Sequence, residues 1–138
     1  MPPIVQAMLT AAAYFGTACA LGVLLLVVFN LVNPAFRLWD EVRRGNVAVA
    51  LAVSGQLIGA AQVLQVAIGS GGGENGLVRM LVWALAGITL QIVGYLAFEL
   101  LTPKLDVGKE LAADNRAVGV MSAGIAVALG HVVAACIA

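Results

Sequence analysis

Four long runs of uncharged, mostly apolar residues alternate with short polar breaks along the chain. Residues 4–32 and 47–69 carry no charged side chain. Residues 77–101 carry only Arg79 near the start and Glu99 near the end, and residues 116–138 open on Arg116 and are uncharged thereafter. Each run is long enough for the roughly 20 residues that a helix needs to cross a bilayer. The pattern predicts four transmembrane helices over about 4–32, 47–69, 77–101 and 116–138. A basic leading region is missing and the first apolar run is too long for a cleaved signal, so it is expected to be a retained helix with Met1-Pro2-Pro3 as its lead-in. Asn33-Pro34 ends that run, because proline fits a first helical turn but not a helix interior.

The breaks are informative. Pro34-Ala-Phe-Arg-Leu-Trp-Asp-Glu-Val-Arg-Arg-Gly-Asn46 returns without a gap as Pro103-Lys-Leu-Asp-Val-Gly-Lys-Glu-Leu-Ala-Ala-Asp-Asn115. Pro34 matches Pro103, Glu41 matches Glu110 and Asn46 matches Asn115, an offset of 69 residues in a chain of 138. The chain therefore divides into two hairpin repeats, residues 1–69 and 70–138, that form one membrane domain. Each repeat crosses twice, so both enter from the same side. The expected architecture is all-α, with two parallel tandem hairpins related by a pseudo-two-fold along the membrane normal. Asn46 and Asn115 directly precede a span, where an Asn side chain accepts from free helical N–H groups, so both are expected caps. Gly45 stands against Asp114, which implies that the turn does not demand glycine. In the first break, Phe36, Trp39 and Arg43 recur at helical spacing beside Leu38 and Val42. This predicts a short helix in the headgroup layer with Trp39 as its anchor. Ser70-Gly-Gly-Gly-Glu-Asn-Gly76 reads as a connector. It lacks the Lys-Ser/Thr ending and the preceding strand of a phosphate loop.

Composition sharpens the class. Apolar residues make up 62% and charged residues 10%, against about half and a quarter in soluble domains, so the partner of most of this surface is the lipid bilayer. The net charge is zero, which leaves no basic face and sets nucleic acid aside. Six of the seven basic residues, Arg37, Arg43, Arg44, Lys104, Lys109 and Arg116, fall in or beside the two polar breaks. The positive-inside rule then makes segments 33–46 and 102–115 cytoplasmic and both termini periplasmic. Cys19 and Cys136 lie in apolar runs and read as free thiols.

The repeat resembles a known family. Glu41-x-x-x-Gly45-Asn46-x-Ala48-x-Ala50 followed by Gly55-x-x-x-Gly59 is similar to the first half of the domain-of-unknown-function 350 family, the YjfL-like bacterial inner-membrane proteins. Glu110-x-x-x-Asp114-Asn115-x-Ala117-Val118-Gly119 with Ala123-Gly124 resembles that family's second repeat. The resemblance covers essentially the whole chain. It implies a small four-helix protein of the bacterial inner membrane without an assigned activity, associated with envelope-stress and polyamine-related gene contexts.

Candidate residues follow from polarity inside the apolar runs. Gly55, Gly59 and Gln62 share one face of the second span, and their repeat mates are Gly124, Ala128 and His131. Small residues four apart let helix backbones meet in lipid, so Gly55, Gly59, Gly124 and Ala128 are expected at a packing contact, between the halves or between copies. Gln62 and His131 are expected at equal depth, about 24 Å beyond their caps. Such a pair either hydrogen-bonds across helices, lies on a proton or ion path, or ligates a metal or haem. Glu99 sits in the last turn of its helix, where the dipole disfavours a negative charge. It either snorkels to the cytoplasm, within reach of Lys104 or Arg116, or opens a cation path. Gln56 lies apart from Gln62 and Gln65, and all three suit hydrogen bonds between helices better than a pore. Trp39, Glu41 and Glu110 are candidates for cytoplasmic docking. The alternative for the two Glu is local pairing with Lys or Arg.

No Ser-His-acid set, Cys-His pair or metal-ligand spacing can be assembled, so the sequence predicts no catalytic residue, no metal site and no cofactor. The expected function is that of a non-enzymatic membrane scaffold or accessory subunit that self-associates as a homo-oligomer or docks a membrane-complex partner, in envelope maintenance or stress. The alternatives are a small ion or proton channel or transporter, and a membrane anchor subunit of a redox complex.

Overall fold

The computed structural model describes residues 2–73 and 75–138. Met1, in the lead-in, and Glu74, in the glycine connector, lie outside the described residues. The helices are α1 (Pro3–Val32), α2 (Leu38–Arg43), α3 (Val47–Gly69), α4 (Gly76–Leu101), α5 (Val107–Ala112) and α6 (Arg116–Ile137), with no strand among the described residues. α1, α3, α4 and α6 are each long and apolar enough to cross a membrane. At about 1.5 Å per residue, even the 22 residues of α6 match the ~30 Å hydrocarbon core. The all-α, four-span fold is the one that the sequence predicts.

The boundaries have local causes. α1 ends on Asn33, directly before Pro34, and α4 ends on Thr102, directly before Pro103. The ends of α1 and α4, both ends of α2 and α5, and the starts of α3 and α6 recur at the 69-residue offset. Asn46 Oδ1 accepts from the Val49 N–H at 2.9 Å, and Asn115 Oδ1 accepts from the Val118 N–H at 3.4 Å. As the sequence implies, this turn does not demand glycine, but it does demand a conformation. Gly45 has φ +81° and Asp114 has φ +56°, so both halves place a left-handed residue before the cap. The turn demands that conformation in both. Glycine adopts it freely, and Asp is among the few other residues that tolerate it.

α3 and α6 make the closest contact, and their contacts advance together, so the two helices run parallel. A Cβ added at Gly119 would lie 2.7 Å from Ala48 Cα, and one at Gly59 would lie 2.5 Å from the Ala126 carbonyl. Gly55 meets Ala123, and Gly130 meets Gly59 backbone to backbone. Hydrophobic burial does not drive helices together in lipid, so close backbone approach supplies the dispersion contacts that hold this pair. α4 packs on α3 and α6, and α1 packs on α3 and α4. One core cluster gathers Phe29, Phe36, Leu38, Tyr95 and Leu111 at the end that carries α2 and α5. A second gathers Leu21, Leu25, Leu64, Met80 and Ile88 towards the glycine connector. Large apolar side chains such as Phe15, Val23, Leu31 and Leu100 point outward, as a surface against lipid requires.

The α3–α6 contact is not reciprocal, which corrects the two-fold expectation. A two-fold contact uses the same patch on both partners, so Gly124 and Ala128 would lie on it with Gly55 and Gly59. Instead a Cβ added at Gly124 meets nothing within 4 Å, and Gly124 and Ala128 are exposed. The face that α6 presents is Gly119, Ala123, Ala126 and Gly130. α6 is turned about its axis relative to its repeat mate.

Candidate functional site

Three groups of polar residues stand out from the apolar bundle. The first is the collar formed by α2, α5 and the two cap turns. Asn46 Nδ2 donates to Glu41 Oε2 at 3.1 Å and, across the repeats, to the Leu111 carbonyl at 2.8 Å. Asn115 Nδ2 donates to Glu110 Oε2 at 2.7 Å. Each Glu thereby fixes the amide orientation in which the Asn oxygen faces the helix N-terminus. Glu41 also pairs with Arg44 at 3.2 Å. The two carboxylates are thus engaged with their own caps, and the docking candidate left open is Trp39, 63% exposed.

Asp114 adds a second tie across the repeats. Its Oδ1 accepts from the Ala48 N–H at 2.9 Å, one of the free donors at the start of α3. On the other side of the collar, Asn30 Oδ1 accepts from the Leu38 N–H at 2.9 Å, which starts α2. Its repeat mate Glu99 does not do this for α5, where Asp106 accepts from the Lys109 N–H at 3.1 Å. The Asp106 carboxylate also pairs with Lys109 Nζ at 2.7 Å. The Lys109 side chain first, and its backbone N–H second, hold the Asp106 carboxyl below the ordinary carboxylate range, and the same pair raises Lys109. Glu99 shares a cleft of about 310 Å³ with Asn33, Asp106 and Lys109. Neither Lys104 nor Arg116, the expected partners, lines it, and Arg116 instead approaches Asp114 at 3.8 Å.

The second group lies in the middle of the bundle. Gln91 of α4 donates from Nε2 to the Gln56 carbonyl and to Gln56 Oε1, both at 3.1 Å. Gln91 is fully buried and Gln56 is 2% exposed. Gln56 lies nine residues past Val47, roughly 14 Å along α3, near the bilayer centre. Gly59 makes room for the pair, because a Cβ there would sit 2.6 Å from Gln91 Nε2. Closer to the collar, Tyr95 Oη donates to Asn33 Oδ1 at 3.2 Å, and Asn33 Nδ2 donates to the Phe29 carbonyl. Among the described residues, the buried polar ones are Asn33, Asn46, Gln56, Gln91 and Ser122, all of them neutral.

The third group is a cleft of about 410 Å³ between the far ends of α3 and α6, lined by Gln62, Gln65, Val66, His131, Ala134 and Ala135. Gln62 and His131 both line this cleft. No hydrogen bond joins them, and Gln62 Oε1 is buried without a partner. His131 itself faces outward. Among the described residues, no group of three or more His, Cys, Asp or Glu could hold a metal ion. Cys19 and Cys136 are free and exposed.

The family model for a Domain of Unknown Function, DUF350, matches residues 3–137. The chain belongs to the DUF350 family. It is also similar to the UPF0719 transmembrane protein YshE of Bacillus subtilis (strain 168), with 42% identity over 124 residues that span 90% of each chain. No solved structure matches it. As a DUF350 chain it is a multi-pass membrane protein, in keeping with its four apolar helices.

Within this DUF350 fold, Gly55 and Gly59 lie on the tight helix contact, whereas Gly124 and Ala128 lie outside it. Sequence reasoning missed Gln91 altogether. Its repeat mate is Gly22, and that of Gln56 is Ile125, so the comparison between halves passes over both. The available signal was a lone amide deep in an apolar run, where a polar group requires a partner.

Proposed function

We propose that this DUF350 protein is a non-enzymatic scaffold or accessory subunit of the bacterial inner membrane. Both termini are periplasmic, segments 33–46 and 102–115 are cytoplasmic, and two tandem hairpins act as one unit. One observation carries the reading: among the described residues, every polar residue buried in the bundle is neutral, while charge is concentrated in the collar. Amides that bond to one another hold helices together, whereas ionisable groups facing the interior are the mark of ion and proton paths. The collar supplies the working surface. Exposed Trp39 stands among Arg37, Asp40, Arg43 and Arg44, an aromatic anchor with a charged rim of the kind that partners grip. A role in envelope maintenance belongs to the same reading. Purification of the tagged protein in mild detergent, followed by mass analysis, tests it. A partner that is retained by the parent chain and lost with Trp39→Ala and Arg43→Glu is the expected result. A chain that holds neither a partner nor another copy of itself refutes the scaffold.

A channel or transporter is a second reading, favoured by the unpaired Gln62 oxygen in the cleft beside His131. Cation and proton flux in liposomes tests that reading. Flux that is absent, or unchanged by Glu99→Gln and His131→Ala, removes it.

A further inference from the structure

The non-reciprocal contact between α3 and α6 leaves two faces of the bundle unfilled, and those faces match each other. Inside the chain, the face of α3 with Ala48, Gly55 and Gly59 lies on the face of α6 with Gly119, Ala123 and Ala126. Shifted by the 69-residue offset, the first face reappears on α6 as Ala117, Gly124 and Ala128. The second reappears on α3 as Ala50, Ser54 and Leu57. Ala117, Gly124, Ala128, Ser54 and Leu57 are exposed, and Ala50 is partly so. Each repeat therefore offers one half of a contact whose other half it also carries.

A second observation points to the same place. In the second repeat, the hollow beside Leu111, Asp114 and Gly119 is filled by the start of α3. The equivalent hollow in the first repeat is an empty groove of about 340 Å³ lined by Val42, Gly45, Asn46, Ala50, Leu51 and Ser54. Its occupant by equivalence is the start of an α6, and this chain's own α6 is already committed elsewhere.

We propose that α6 of a second copy fills this groove, with Ala117 and Gly124 against Ala50 and Ser54, so that copies add head to tail in the membrane. The Asn115 amide of one copy then lies where it donates to the Val42 carbonyl of the next, as Asn46 donates to Leu111 within the chain. A contact of this heterologous kind does not close at two copies. It runs on, and closes into a ring when the rotation allows. The contact between copies is looser than the one within the chain. Leu57 stands where Ala126 stands, and Gly45 supplies no carboxylate in place of Asp114. Copy number therefore depends on protein density in the membrane. The proposal deepens the self-association part of the scaffold reading and does not depend on a docked partner.

Disulfide trapping in membranes tests it, with Cys19→Ala and Cys136→Ala as background. Gly55 against Ala123 within the chain maps to Gly124 against Ser54 between copies, and Ala48 against Gly119 maps to Ala117 against Ala50. Chains with both Ser54→Cys and Gly124→Cys should give an oxidised ladder of dimers, trimers and larger species. Each single variant should stay monomeric, and a mixture of the two single variants should stop at the dimer. Ala50→Cys with Ala117→Cys should give the same ladder, and adding Gly124→Leu should abolish it. Gly124 has open space around it within the chain, so this last change leaves the fold intact. A dimer from Gly124→Cys alone would make the contact two-fold and overturn the proposal. Silence of both pairs would overturn it as well. A ladder from chains that capture no partner would remove the docking part of the scaffold reading and leave this contact standing.

Discussion

Gly59→Ala and Gly124→Ala are the same chemical change at repeat-equivalent positions, and the structure predicts opposite consequences. A Cβ at position 59 would stand 2.5 Å from the Ala126 carbonyl and 2.6 Å from Gln91 Nε2. The first obstacle is backbone, so α3 and α6 must separate by about 1 Å, loosening the Gly55–Ala123 and Ala48–Gly119 contacts along with it. Overpacking of this kind costs about 1–3 kcal/mol. The second obstacle is half of a buried amide pair, and pushing it aside weakens two hydrogen bonds worth roughly 0.6 kcal/mol each in a membrane bundle. At position 124 nothing lies within 4 Å. The helix-propensity gain of Gly→Ala, about 0.5–1 kcal/mol, is common to both and cancels in the difference. Gly59→Ala should therefore be less stable than Gly124→Ala by about 2–4 kcal/mol, between one and three decades in the unfolding equilibrium. Reversible unfolding of the monomer in mixed micelles with increasing SDS, followed by far-UV circular dichroism, measures it. Equal midpoints, or a lower midpoint for Gly124→Ala, would refute the reasoning and restore a reciprocal helix contact.

Asn46→Ala should destabilise more than Asn115→Ala in the same assay. Both lose a cap, at about 1 kcal/mol, but only Asn46 also loses a bond to the other repeat, worth roughly another 1 kcal/mol. Gln91→Leu should cost about 1–3 kcal/mol by stranding the Gln56 oxygen, and Gln56→Leu added to it should cost little more. The Asp106 carboxyl is depressed in the fold, so its contribution is fully present above the unfolded value near 3.9 and is lost as pH falls through the folded value. Thermal stability should be flat between pH 8 and 5 on account of this pair, with its contribution lost only below about pH 4. A drop on that account between pH 7 and 6 would assign the titration to another group.

Much of this architecture was legible in the sequence because lipid imposes severe rules. A span must be apolar for about 20 residues, so residues 47–69 announce α3 to the residue, and Asn46 and Asn115 mark where two spans start. What the pattern could not reveal is which way α6 faces. Small residues ring that helix, with Gly119, Ala123, Gly124, Ala126, Ala128 and Gly130 pointing in several directions. Without a polar side facing water, no periodicity distinguishes inside from outside. Equivalence with Gly55 and Gly59 then suggested Gly124 and Ala128, a choice that presumes symmetric packing. Gln91 escaped for a related reason, since it has no counterpart in the other half. The Gly45–Asp114 difference showed that the turn does not demand glycine; that both residues share a left-handed backbone angle was not legible from the pair alone.

The neutrality of the buried polar groups has a consequence for how this protein responds to an energised membrane. A potential does work only on charge that moves through it, about 2.3 kcal/mol per elementary charge per 100 mV. Asn33, Gln56, Gln91 and Ser122 offer it no charge to move. The bundle should hold one packing whether the membrane is fully energised or collapsed, a rigid fixture in a compartment whose voltage rises and falls.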